Sequence, residues 1–222
     1  SAVSGGGGAS LTAQKNFFVT DGNPSVTTSA CFNIAIGALA GRALTYGSFN
    51  NFFGKYAGYN NTTGIHNNFF GPSAGSNNTY GSANNFFGAS AGSNNSSGYY
   101  NNFFGNLAGY ANTTGSSNNF FGQCSGYRNT TANDNNFFGY GAGCNNTTGC
   151  NNNFIGAYAG RSNTTGSNNT FIGQCAGYCN TLGNSNIFIG YNAGFNTTCV
   201  YFDAIGGCNN FFGINAGYCN TS

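Results

Sequence analysis

The side chains able to do acid–base, nucleophilic or metal chemistry are few: Asp21, Asp134 and Asp203, one imidazole at His66, nine cysteines, and no Glu at all. Paired-carboxylate hydrolysis and carboxylate-rich calcium binding lack their residues. The cysteines are Cys31, Cys124, Cys144, Cys150, Cys175, Cys179, Cys199, Cys208 and Cys219. None falls in a Cys-x-x-Cys pair, and His66 sits in a cysteine-free stretch, so neither a zinc centre nor a base-assisted thiol is expected. An oxidising, extracellular compartment is the better reading of so many cysteines. Their odd number leaves at least one thiol free or paired between chains. Ser-Gly-Gly-Gly-Gly at 4–8 lacks the Lys-Ser/Thr of a phosphate loop. No catalytic residue, cofactor site or metal site is expected, and the chain does not read as an enzyme.

Charge is equally sparse. Only 4% of the 222 residues are charged and the net charge is +2, which supplies no patch to follow a phosphate backbone; nucleic acid is not an expected partner. No apolar run is long enough to cross a bilayer, and no charged n-region leads into an apolar stretch, so the chain reads as soluble and already processed. In place of charge stand 42 Asn, 38 Gly, 23 Phe and 14 Tyr. Disordered chains are poor in aromatics, so rings in this number imply an ordered interior.

The elements that must supply it repeat. Gly37, Gly54, Gly71, Gly88, Gly105, Gly122, Gly139, Gly156, Gly173 and Gly190 follow one another at intervals of 17, most of them closing Asn-Asn-Phe-Phe-Gly or a close variant. The next copy closes at Gly213 after a step of 23, so a six-residue insertion lies between Cys199 and Cys208. Four residues after each glycine comes another, ordinarily preceded by Ala; seven after comes Asn, as in Asn61 and Asn78; ten after comes a third glycine in most copies. Each unit is therefore one short strand with glycine and Asn-Thr turns. Seventeen residues cannot bury an apolar face alone, and gapless copies stack most simply as coils of a solenoid. Three glycines per unit disfavour helix by about 1 kcal/mol each. The fold predicted is all-β, a parallel β-solenoid of about eleven 17-residue coils. Residues 1–32 are read as an N-terminal extension available to a neighbouring molecule, 33–198 as the regular solenoid, and 199–222 as the insertion and final repeat. Nine parallel steps from Gly37 to Gly190 at about 4.8 Å give a rod of about 43 Å.

The motifs Asn-Ile-Ala-Ile-Gly at 33–37, Asn-Thr-Phe-Ile-Gly-Gln-Cys-Ala-Gly at 169–177 and Asn-Ile-Phe-Ile-Gly-Tyr-Asn-Ala-Gly at 186–194 resemble known repeats. They are similar to the YadA-like head β-roll of trimeric autotransporter adhesins and to glycine-punctuated repeats of bacterial surface and tail-fibre proteins. The resemblance covers 33–219 and implies a left-handed parallel β-roll on a cell-surface fibre. The period here is longer, Phe replaces small aliphatics, cysteines are plentiful, and no stalk or anchor motif is present, so no mode of anchoring carries over.

Adjacent Phe-Phe in a strand points to opposite faces. One ladder is Phe53, Phe70, Phe87, Phe104, Phe121, Phe138, Ile155, Ile172, Ile189 and Phe212. The other is Phe52, Phe69, Phe86, Phe103, Phe120, Phe137, Phe154, Phe171, Phe188 and Phe211. Ile34 and Ile36, with Ile187 and Ile189, place the first ladder inward by parity, so the second is expected outside as an assembly stripe. The competing arrangement folds the turns over the second ladder within the same chain.

The Asn-Thr motif also creates sequons; candidate glycosylation sites are Asn61, Asn95, Asn112, Asn129, Asn146, Asn163 and Asn196. The alternative for that column is a buried amide ladder. The functional expectation is a structural subunit of a secreted extracellular fibre or surface adhesin, its partner being itself, as a homo-oligomer or head-to-tail filament, with covalently attached glycans possible. Cys31 near one end, and Cys208 and Cys219 near the other, are candidates for a disulfide across such a joint. The rival is an ice- or glycan-surface-binding solenoid using the hydroxyl file Thr62, Thr79, Ser96, Thr113, Thr130, Thr147 and Thr164.

Overall fold

In a computed structural model of the chain, residues 10–11, 15–21, 29–197 and 208–220 are described. They contain no helix. The strands in chain order are β1 (Ser10–Leu11), β2 (Phe17–Val19), β3 (Ile34–Ile36), β4 (Asn51–Phe53), β5 (Asn68–Phe70), β6 (Asn85–Phe87) and β7 (Asn102–Phe104). There follow β8 (Asn119–Phe121), β9 (Asn136–Phe138), β10 (Asn153–Ile155), β11 (Thr170–Ile172), β12 (Ile187–Ile189) and β13 (Asn210–Phe212). They form one sheet in strict sequence order. From β2 to β13 every pairing is parallel, and from β2 to β12 each residue lies beside the one 17 positions on. The final step pairs Ile187 with Asn210, a displacement of 23, so the insertion leaves the register intact. This is the β-solenoid expected from the repeat.

The solenoid begins earlier than residue 33. β2 pairs with β3 as a full rung, Phe17 beside Ile34 and Phe18 beside Ala35. Thr20 stands where later coils have the closing glycine, which is why the motif hides this coil. The antiparallel β1 then covers the far side of β2, Ser10 opposite Phe18.

The interior is narrow. On most rungs it holds one Phe, from Phe52 to Phe188, and an Ala from the following turn, such as Ala57, Ala74 or Ala108, all wholly buried. Consecutive inner rings stack face to face at 4.7–5.2 Å. The glycine after each Ala is required by that ring: Gly109 has φ +58°, and a Cβ there would come within 2.4 Å of Phe103. The closing glycine meets a different constraint. Gly105 has φ +143°, and a Cβ would come within 2.5 Å of the Gly122 carbonyl oxygen in the next coil. One column excludes side chains for the core, the other for the coil stacking.

The rest of the interior is amide. Asn50, Asn67, Asn84, Asn101, Asn118, Asn135, Asn152 and Asn169 are fully buried just before their strands. Each receives on its Oδ1 the backbone N–H of the Asn 17 residues on, at 2.9–3.1 Å. Each Nδ2 donates to a turn carbonyl 14 residues ahead, as Asn101 does to Gly115 at 2.8 Å. Polar groups enter the core because each coil satisfies its neighbour.

Candidate functional site

The strand's inward residue is the second of its three, so the residues on either side face out. The outward face carries two files. The first ladder, Phe53 to Phe212, lies on it, half-buried over most of its length, with Phe138 39% and Ile155 44% exposed. Beside it runs Asn51, Asn68, Asn85, Asn102, Asn119, Asn136 and Asn153, each Nδ2 donating to the Oδ1 of the next at 2.7–2.8 Å.

The inside and outside ladders are thus the reverse of the parity expectation. Phe52, Phe69, Phe86, Phe103, Phe120, Phe137, Phe154, Phe171 and Phe188 are completely buried, and Phe211 packs against the same core. They cannot be an assembly surface. In the coil on which the parity expectation rests, Ala35 is the buried residue and Ile34 and Ile36 flank it outside, while Leu44, in the column of Asn61, is buried as well. The composition of the columns carried the signal: the inner position stays Phe where the outer one changes to Ile155, Ile172 and Ile189.

The outer rings are stacked on one another. Phe53, Phe70, Phe87, Phe104, Phe121 and Phe138 follow at 4.6–4.8 Å with interplanar angles of 3–10°. Their faces are occupied by their neighbours, so the stripe presents ring edges and offers no open face for a sugar ring or a base to stack on. No residue of either file is charged.

The sequon column is not on the surface. Asn61, Asn95, Asn112, Asn129, Asn146 and Asn163 are buried with 0% exposure. In this file Asn78, Asn95, Asn112, Asn129, Asn146 and Asn163 each donate through Nδ2 to the Oδ1 of the preceding coil's Asn at 2.6–3.0 Å, and to a carbonyl three residues on. A glycan would have to replace that bond and enter the core, so the folded coil has no place for sugar at these six. Asn196 is half-buried, 4.0 Å from Cys219 Sγ. The neighbouring sequons at Asn60, Asn77 and Asn94 lie toward solvent, Asn60 and Asn77 each donating to the next.

The hydroxyl file is also engaged. Thr62, Thr79, Ser96, Thr113, Thr130, Thr147 and Thr164 are half-buried, and each donates to the backbone carbonyl of its counterpart in the next coil at 2.9–3.1 Å.

The cysteines scatter over several columns. Cys124, Cys144, Cys175 and Cys179 are half-buried, and burial pushes each thiol above its ordinary range. Cys144 is pushed up further by nearby Cys124, while Arg161 and Arg128 oppose the shift. Such thiols are poor nucleophiles. Cys199 lies outside the described residues. Cys208 and Cys219 are exposed and Cys31 is half-buried, its Sγ donating to the Ser29 carbonyl at 3.6 Å. Because β1 and β2 both lie between Cys31 and that end of the sheet, a second copy stacked on β13 would hold Cys31 three strand spacings from Cys208, about 14 Å and beyond the reach of a disulfide. Cys219 lies in a different column again, on the turn after β13.

Among the described residues no three His, Cys or Asp side chains converge as a metal site, and no helix is long and apolar enough to cross a membrane. A shallow hollow of about 200 Å³ lies against Arg42, Ala43, Tyr59 and Asn60, and is crossed by a bond from Arg42 to the Tyr59 hydroxyl at 2.7 Å. It holds no acid–base pair. No protein-family model, curated protein or solved structure matches the chain.

Proposed function

We propose that the chain is a structural subunit of a secreted extracellular fibre or surface adhesin, assembling from β-solenoid rods. The observation that carries this reading is the outer ladder: an uninterrupted apolar file along the sheet of a chain with a net charge of only +2. A surface of that length and so little charge favours association. The cysteine content suits an oxidising location, and the motifs at 33–37, 169–177 and 186–194 resemble those of surface fibres. The half-buried hydroxyl file weakens the ice- or glycan-binding alternative, because its donors already serve the next coil. Glycans, if carried, belong on the outer sequons Asn60, Asn77 and Asn94.

Negative-stain electron microscopy and sedimentation of the purified protein over a concentration series test the proposal. Rods or filaments growing with concentration are expected. A monomer at every concentration, together with thermal hysteresis or retention on a polysaccharide, would replace it with a surface-binding function.

A further inference from the structure

The outer face of the sheet has a property that narrows what can cover it. Adjacent strands in ordinary sheets are rotated by about 20–25°, and long flat sheets are usually stabilised by stacking on another sheet. Here the outer rings from Phe53 to Phe138 keep within 3–10° of parallel from coil to coil at a nearly constant 4.6–4.8 Å. The inner rings agree, at 4–8° from Phe69 to Phe188. The ring planes therefore turn less from rung to rung than the strands of an ordinary sheet do, and the face stays nearly flat over neighbouring rungs. A twisted face meets a partner over a few strands, whereas a planar one can meet it along its whole length.

Its chemistry is as regular as its shape. The file Asn51 to Asn153 bonds to itself along the rod axis, so a dry partner laid over it finds amides already donating and accepting. No charge lies on either file to be desolvated or to repel a like surface. The Phe and Ile edges leave roughly 50 Å² per rung open, a quarter of a ring's burial, or on the order of 500 Å² over ten rungs. With the Asn file alongside, this approaches the roughly 800 Å² per partner of a standard stable interface.

We propose that this face is a homotypic zipper, in which the Asn51–Asn153 file and the whole outer ladder from Phe53 to Phe212 of one rod interdigitate with the same files of a second copy. The inference rests on the self-assembly proposed above and specifies its lateral contact. A second copy repeats the same side chains at the same spacing, so a fit achieved at one rung is achieved at all of them. Stacked aromatics and amide ladders between paired flat sheets make the driest and most persistent of such contacts.

The double variant Phe87→Ser/Phe104→Ser tests it, with Tyr46→Ser/Tyr80→Ser as control. The two tyrosines are 62% and 66% exposed but stand on the turns, away from the strand face. Wild type and control are expected to sediment as paired or larger rods. The Phe double variant is expected to weaken association at least tenfold while keeping the β circular-dichroism spectrum. If that variant loses the spectrum, a photo-reactive benzoylphenylalanine at position 104 of the intact chain decides the matter. Intermolecular adducts within residues 85–121 support the zipper, and adducts confined to the turn face overturn it. Association of the Phe variant equal to wild type overturns the zipper and leaves the fibre proposal standing; a wild type that never associates overturns both. Wild-type monomers that instead adsorb to ice or a crystalline polysaccharide through Phe87 and Phe104 would also overturn it.

Discussion

At the scale of single residues, the repeat is governed by what touches the inner ring. Gly109→Ala would place a methyl 2.4 Å from Phe103 at a backbone angle of +58°, a clash and a strain together. We expect a loss of about 2–4 kcal/mol, seen as a lowered urea midpoint. Ala89→Gly, half-buried on the corresponding turn of the preceding coil, serves as the comparison and is expected to change the midpoint by less than about 1 kcal/mol would. Cys144 permits a second residue-scale test. Burial raises its pKa, so the folded state holds the proton more tightly than the unfolded chain. Its contribution is fully present below the unfolded thiol pKa and is lost as pH rises from there through the folded value. Cys144→Ser should therefore flatten the loss of stability on the alkaline side. In the native protein Cys144 should alkylate more slowly at pH 8 than the exposed Cys208 and Cys219, which peptide mapping after timed alkylation reads directly.

At the scale of the element, one strand and its turns are held by amide files that run across the coils. Asn118 bonds by its backbone to Asn101 Oδ1 at 3.0 Å, and by Nδ2 to the Ala132 carbonyl at 2.8 Å. Asn118→Ala removes the acceptor for Asn135 as well, leaving buried groups on two neighbouring coils without partners. The cost should be about 2–4 kcal/mol, from one to two stranded groups and a small cavity, measurable by thermal or denaturant unfolding. The sequon file obeys the same logic. Intact-mass and glycopeptide analysis should find Asn61, Asn95, Asn112, Asn129, Asn146 and Asn163 unmodified in folded protein, with any sugar confined to outward sites such as Asn77. Glycan at full occupancy on Asn112 would contradict the buried file.

At the scale of the whole molecule, each coil meets only its neighbours, so the rod should tolerate changes in coil number better than changes in coil length. Removing residues 85–101 deletes one unit and rejoins Asn84 to Asn102, which keeps the inner Asn and inner Phe columns in step. Removing 85–100 leaves one residue too many and turns the following side chains to the wrong face at the junction. The 17-residue deletion should retain a cooperative transition and a β spectrum, with a modest loss in midpoint. The 16-residue deletion should unfold markedly earlier or aggregate. Equal stability of the two would show that register does not control this fold.

The period of 17, the single strand per unit and the parallel stack were legible in the residues, because glycine and Asn-Thr mark each turn at a fixed distance from Phe-Phe-Gly. So was the presence of two opposed ladders, since strand side chains alternate whatever surrounds them. Which ladder faces in was not. Ile34, Ile36, Ile187 and Ile189 look like core by hydrophobicity, yet the interior has room for only one large side chain per rung, and the arrangement of Ala57 and Gly58 beneath Phe52 selects the middle residue of the strand. That choice depends on the turn folding back over the strand, a contact between residues several positions apart that alternation does not encode. The coil at Phe17–Val19 was hidden for a related reason: Thr20 breaks the motif, but β3 still offers β2 a complementary edge. The seventh-position Asn read equally well as a sequon or as a ladder in the sequence. Tertiary structure decided for the ladder at Asn61 and its counterparts, because stacking at a fixed spacing gives each buried amide from Asn61 to Asn146 a donor in the next coil.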